Sequence, residues 1–404
     1  MQLAKLIYKC YRSSKRANLS IAFLTHNYFN DSVIEGHRIL SKRFIDAILT
    51  KDVNSLIFSL ETIQNITRNF LLDREITAGF QDWFIYTIKI FEKLNEHNVD
   101  FVHILSYNKF FPTLLNKLRL LQKKDYKIIA HLYYHPKGFE NTWYKPTKLL
   151  LRMKLFDAIL TTSISLKKYI IEEMGLAKKP VFYVPPVVPK EYFDFDYHLS
   201  RTIMPKYKEK FGLNEKHFVI SYIGHITPQR GIFELLKAFS RASNFNDNLR
   251  LIISHTNIVF RDLSLDYLSI LNRMIKRYGL EHKVLIIAKQ NPIILYNSSD
   301  VLFFGFDDSF YFTYPPLVIC EAMAAGMPFI LKHSSLINEL FEGKNNILVY
   351  HDINELVEIL LNLADKDSLY NFSAEIKNRA IRMFSLETFI SRIFTVYSRL
   401  QGKF

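Results

Sequence analysis

The chain is poor in cysteine: among 404 residues only Cys10 and Cys320 occur, far apart in sequence. That excludes a disulfide framework and suits a reducing compartment, so a cytoplasmic location is expected. No uninterrupted apolar run reaches the roughly 18 residues that a membrane-spanning helix needs. The first twenty residues carry Lys5, Lys9, Arg12, Lys15 and Arg16 and no long apolar stretch, unlike a secretory signal. Fixed-period repeats, low-complexity tracts and paired acidic constellations are also missing. What is plentiful is core-forming material: 49% hydrophobic against 23% charged residues. That balance excludes a disordered chain, and the length corresponds to about two or three domains.

The net charge is +14, and its excess lies in the first half. Residues 1–200 hold 29 basic and 19 acidic side chains; residues 201–404 hold 24 and 20. Such asymmetry implies an anionic partner for the N-terminal half, whether a membrane surface, a nucleic acid or an anionic substrate. Leu3–Tyr11 (LAKLIYKCY) reads as a basic amphipathic helix, suited to peripheral docking on the inner face of an anionic membrane or to packing on the protein's own body. No nucleic-acid module such as a basic zipper or zinc finger accompanies the charge, which disfavours nucleic acid as a partner.

Short β-branched and aromatic runs alternate with helix-length amphipathic stretches. In the first half the strand-like runs are Ser20–Leu24, Leu56–Leu60, Phe101–Ser106, Lys127–Tyr134, Ala158–Thr162 and Val181–Val184, with helical patterns at Val33–Leu49 and Phe84–Asn95. In the second half they are Phe218–Ile223, Leu249–Ser254, Lys283–Ile287, Val301–Phe304 and Pro328–Leu331. Helical patterns there cover Ile232–Ser240, Tyr267–Tyr278, Pro316–Ala325 and Glu355–Leu363. Continuously apolar strands alternating with helices imply parallel sheets covered on both faces. The alternation pauses at Lys179–Pro189 and the polar stretch Lys190–Lys210, which read as a linker. The expected fold class is α/β, with two doubly wound, Rossmann-like domains facing a central cleft. The expected domains are 1–195 (basic), 196–385, and a terminal helix at 386–404 packing back on the first domain.

Two segments carry chemistry. In Tyr222–Phe239 (YIGHITPQRGIFELLKAF) a strand ends at Gly224, a turn holds His225 and Arg230, and Gly231 precedes a helix. A loop at the carboxyl end of a parallel strand faces the ligand crevice, and the helix N-terminus offers free N–H groups. Arg230 adds a permanent cation whose fork geometry suits phosphate. In Tyr311–Leu331 (YFTYPPLVICEAMAAGMPFIL) the only charged residue is Glu321, inside an apolar helix entered at Pro316 and left at Gly326. A carboxylate so placed needs a partner, either a sugar diol or an internal cation or amide. The loop Thr313, Tyr314, Pro315 again aims backbone amides at the crevice.

Together these segments resemble the retaining glycosyltransferases of the GT-B architecture, in particular glycosyltransferase family 4 (group 1). That family reads G-R-x-x-x-x-K-G where this chain reads Gly224-His225-Ile226-Thr227-Pro228-Gln229-Arg230-Gly231. The family's E-A-M-A-x-G-x-P stands here as Glu321-Ala322-Met323-Ala324-Ala325-Gly326-Met327-Pro328. The resemblance is strong over about 222–240 and 313–330 and weaker elsewhere. It implies that Arg230 takes the place of the lysine on the donor diphosphate, with His225 beside it. It puts Glu321 on the nucleotide ribose, and Tyr314, Pro315, Pro316 and Leu317 against the donor sugar and phosphate. It also implies a histidine at the end of a first-domain strand near the donor sugar, for which His131 and His135 both qualify. The family's first glutamate is replaced by Thr313.

The implied activity is transfer of a sugar from a nucleotide-diphosphate sugar to an acceptor (lipid, glycan or protein) with retention of configuration, and with no cofactor or metal required. The Asp194-x-Asp196 pattern is a weak metal signal and falls in the linker. The alternatives are a non-catalytic nucleotide-sugar binder and a GT-B-fold sugar-nucleotide epimerase.

Overall fold

The computed structural model describes residues 4–12, 19–26, 36–62, 80–105, 125–133, 156–255, 266–288, 290–306, 315–334, 339–341, 348–363 and 366–402. The chain divides into two compact units. The first comprises Met1–Val187, Tyr311–Pro316 and Leu386–Phe404; the second comprises Val188–Phe310 and Leu317–Ser385.

In chain order the first unit contains β1 (Ala4–Tyr11), β2 (Ser20–His26), α1 (Gly36–Leu49), β3 (Asn54–Thr62), α2 (Phe80–His97), β4 (Phe101–Ile104), β5 (Lys127–Leu132), β6 (Ala158–Thr161), α3 (Ile164–Glu172) and β7 (Val181–Tyr183). The second unit opens with α4 (Lys190–Asp194), α5 (Tyr197–Glu209), β8 (Phe218–Gly224), a 3-10 turn (Pro228–Arg230), α6 (Ile232–Ala242) and β9 (Leu249–His255). It continues with α7 (Tyr267–Arg277), β10 (Val284–Ala288), α8 (Pro292–Ser298), β11 (Val301–Phe304), α9 (Leu317–Ala324) and β12 (Phe329–Lys332). It ends with β13 (Leu348–Tyr350), α10 (Ile353–Asn362) and α11 (Lys366–Phe384), after which α12 (Leu386–Leu400) belongs again to the first unit.

The first sheet runs β1-β3-β2-β4-β5-β6-β7 and is parallel except for β1, which pairs antiparallel with β3. The second runs β10-β9-β8-β11-β12-β13, parallel throughout. This is the doubly wound order, whose winding reverses between β8 and β11. Ligands of such sheets lie outside the carboxyl ends of the strands at that reversal.

One device sets register at three strand starts. Asp100, Asp157 and Asp300 each precede a strand, and each binds one residue of the neighbouring strand twice. Their backbone N–H groups donate to the carbonyls of Ser20, Ile128 and Val219, all at 2.8 Å. Their carboxylates accept the N–H of the same residues at 2.7, 2.7 and 2.8 Å. A slip of one residue would break both bonds and turn every side chain to the other face.

Behind β8 lies the second core, where Ile232, Leu235, Leu236 and Phe239 of α6 are fully buried. In the first unit α1 and α12 share one face of the sheet: Phe44 meets Phe389 at 5.2 Å, and Phe101 of β4 meets Tyr397 at 4.8 Å.

Two expectations are corrected. Leu3–Tyr11 is not a helix, because Ala4–Tyr11 forms the eight-residue edge strand β1. Its apolar residues satisfy both a helical and an alternating period, and the partner β3 decides between them. Lys190–Lys210 is not an open linker but the helices α4 and α5. The compact units part at Val187/Val188, within the Lys179–Pro189 stretch. Among the described residues no helix is long and apolar enough to cross a membrane.

Candidate functional site

The carboxyl ends of β8 and β11 bring together two loops of the second unit, at 224–231 and 305–306. β8 closes on Gly224 (φ +153°), where a Cβ would stand 2.9 Å from Nη1 of Arg230. Tyr222, one turn of pleat earlier, is buried and donates its hydroxyl hydrogen to the carbonyl of His225. That bond fixes the turn leading into Pro228–Arg230. Burial, partly offset by the Arg230 charge, pushes the Tyr222 phenol well above its ordinary range, so it remains a donor at any physiological pH.

Gly231 caps α6 in the left-handed region (φ +70°). A Cβ there would meet the carbonyl oxygen of Gly305 at 2.6 Å and its Cα at 2.8 Å. The α6 N-terminus and the end of β11 thus touch backbone to backbone, which only a glycine at 231 permits. The first N–H groups of α6 have no intrahelical acceptor and face the same end of the sheet.

Arg230 is half-buried, with its guanidinium 5.2 Å from the centroid of the Phe306 ring. Among the described residues it makes no ion pair, and its Nε has no hydrogen-bond acceptor. Desolvation lowers its pKa, opposed by Tyr222. An arginine cannot shed its proton to escape such a setting, so it stays a cation in search of an anion.

Beside this group, Glu234 in the first turn of α6 is already occupied. It accepts from Lys332 at 3.0 Å and from the Tyr350 hydroxyl at 3.2 Å. Burial and the adjacent Glu234 carboxylate raise the Tyr350 pKa.

Glu321 lies on α9, the crossover between β11 and β12, and is 6% exposed. Every other described side chain of α9 but Val318 is buried and none is charged, so this carboxylate is held within an apolar helix. Pro315, Pro316 and Leu317 are buried at its entrance. Thr313 and Tyr314 lie outside the described residues.

In the first unit, His131 of β5 is buried, packed against Phe44 at 4.8 Å and Tyr133 at 4.4 Å. Neither ring nitrogen has a partner among the described residues, and burial pushes its pKa down to about 3. It is a neutral imidazole at any physiological pH. His135 lies outside the described residues.

Asp194 is on the surface, 3.9 Å from Lys190. Sequence reasoning missed Tyr222, Gly305 and Phe306. The last two directly follow the apolar run of β11, so the strand-end rule that found Gly224 would have found them too.

These features define a doubly wound α/β unit with a cation, a helix N-terminus and a glycine contact at its winding reversal. Residues 204–383 match the family described as glycosyl transferases group 1. An uncharacterized glycosyltransferase of Methanocaldococcus jannaschii is 26% identical over 164 residues, which are 39% of this chain and 38% of that protein. The match thus spans well under half of the relative's length. In structure, HepE of Anabaena in complex with UDP and glucose superposes with a TM-score of 0.69 at 15% identity, covering 95% of this chain and 100% of that one. Sucrose-phosphate synthase of Thermosynechococcus elongatus gives 0.71 at 13% identity, covering 96% and 100%. At these identities the likeness is one of fold, and the fold is GT-B.

Proposed function

We propose that the protein transfers a sugar from a nucleotide-diphosphate sugar to an acceptor hydroxyl, with retention of configuration. The observation that carries the reading is Arg230, a half-buried guanidinium with no carboxylate on it among the described residues, at the winding reversal of the second sheet. The donor's diphosphate supplies the missing charge. Glu321 accepts the ribose hydroxyls, and His225 together with the Pro315–Leu317 segment and the α9 N-terminus meets the phosphate and sugar. The bond from C1 to the diphosphate oxygen breaks as the acceptor oxygen bonds C1 from the same face. The acceptor's proton passes to the departing phosphate oxygen. Donors fixed in advance where charge develops lower such a barrier by several kcal/mol. His131 enters this reading only as a neutral hydrogen-bonding group, and His135 remains the other candidate.

Replacing Arg230 by alanine is expected to lower turnover by about 10²–10³-fold with the fold intact. Near-normal turnover would reject the assignment. Since protein groups meet the leaving charge, EDTA is expected to leave turnover unchanged. Loss restored by Mg²⁺ would overturn that part. Thr313, in place of the family's first glutamate, favours a second reading in which the nucleotide-sugar is bound but not used. Binding without transfer or hydrolysis would decide for it.

A further inference from the structure

The donor reading assigns Arg230 a task but leaves open what holds it ready. A guanidinium with no anion has no ion pair to fix its geometry, and it loses hydration on entering a half-buried site. Such a group collapses onto a neighbouring carboxylate or swings into solvent unless something else engages it. Glu234 is near in sequence, yet Lys332 and Tyr350 occupy it.

What engages Arg230 is aromatic. Phe306 is 4% exposed, and its ring carries the guanidinium carbon 5.2 Å from its centroid. Phe304 meets that ring edge-on at 3.7 Å, so the platform is fixed by β11 itself. On the other side Gly224 leaves only room for Nη1, since a Cβ there would lie 2.9 Å away. The Tyr222 hydroxyl, tied to the His225 carbonyl, holds the turn on which Arg230 stands. A ring face attracts a cation without neutralising it, and the attraction grows with desolvation. It therefore positions the guanidinium and leaves its N–H donors available.

We propose that Phe306 is a positioning residue that holds Arg230 on its ring face, oriented for the donor diphosphate before the donor arrives. The proposal rests on the reading of Arg230 as the diphosphate-binding cation. It makes β11 part of the anion site and couples two loops on either side of the winding reversal. It also explains an arginine where the related family has lysine: a planar cation lies flat on a ring and still presents an edge of N–H groups to two phosphate oxygens.

The test is calorimetric titration of UDP, GDP and ADP into the full chain and its variants, paired with donor kinetics. Phe306→Ala and Phe306→Leu are expected to weaken the best-binding diphosphate about tenfold. Phe306→Tyr, which keeps the ring face, stays within about twofold of the parent. Leucine matters because it retains apolar bulk without a π face, so a merely structural role would be largely rescued by it. On an Arg230→Ala background, Phe306→Ala has no further effect on affinity. The proposal is overturned if Phe306→Leu binds like the parent, or if the loss persists undiminished without Arg230. Should no diphosphate bind the parent, or should Arg230→Ala bind equally well, the donor reading itself falls and this inference with it.

Discussion

Two cations in the second unit, one buried and one half-buried, are treated in opposite ways. The Lys208 side chain of α5 is 2% exposed and held from two sides: it donates to the Asp300 carboxylate at 2.9 Å and to the His217 carbonyl at 2.6 Å. Asp300 is itself fully buried, accepts the Val219 N–H, and offers its carbonyl to the Tyr197 hydroxyl at 2.8 Å. The acceptors shown for Lys208 come from the chain itself, and they clasp α5 to the sheet. Among the described residues Arg230 has an aromatic ring, a glycine and a phenol around it but no carboxylate. A cation completed by protein is architecture; on the proposed reading, one left incomplete is where the substrate's charge belongs. The first unit repeats the lesson with bases: His103 and His131 are buried on adjacent strands, and desolvation keeps both neutral.

Lys208→Ala is expected to produce the largest loss of stability, about 3–5 kcal/mol in denaturant unfolding, because Asp300 is left as an uncompensated buried charge. Pairing Lys208→Met with Asp300→Asn should recover most of that loss, since the asparagine oxygen still accepts the Val219 N–H. An equal loss in single and double variants would show that the ion pair is not what matters there.

Gly231→Ala strikes the other region. Its left-handed backbone and the Gly305 carbonyl 2.6 Å from the new Cβ predict a cost of at least about 2 kcal/mol, and the turn carrying Arg230 must shift. Donor KM should rise more than stability falls. Unchanged donor KM would detach Arg230 from this contact.

The smallest effect concerns the histidines. Their folded pKa values lie below the ordinary 6.5, His131 at about 3, so the unfolded chain binds protons that the folded one refuses. Stability is therefore complete above pH 6.5 and declines as pH falls below it. The slope approaches about 1.4 kcal/mol per pH unit for each histidine. Replacing His131 by a neutral residue of similar size should flatten the decline in chemical denaturation between pH 6.5 and 5. An unchanged slope would mean the rings already share protons with other groups.

Most of this fold was legible in the sequence because buried parallel strands leave continuous β-branched runs, as at Phe218–Ile223 and Val301–Phe304. The site was half legible. Gly224, Arg230 and Gly231 are features of one loop, so a short stretch of sequence was enough to nominate them. Phe306 stands 76 positions after Arg230, and only the β8–β11 pairing joins them. The same holds for α5: Pro205 and its polar run looked like a linker, and the Asp300 partner that buries Lys208 is 92 residues away. At Leu3–Tyr11 two periodicities coincided, and a strand from elsewhere in the chain chose between them.

The central claim is that Arg230 is left incomplete so that a diphosphate completes it. Thermal unfolding of the parent and of Arg230→Ala, with UDP, GDP and ADP each in turn, tests it most directly. One diphosphate at about a hundred times its Kd should stabilise the parent by roughly 2.7 kcal/mol and Arg230→Ala hardly at all. Equal stabilisation of both proteins, or of neither, would contradict it.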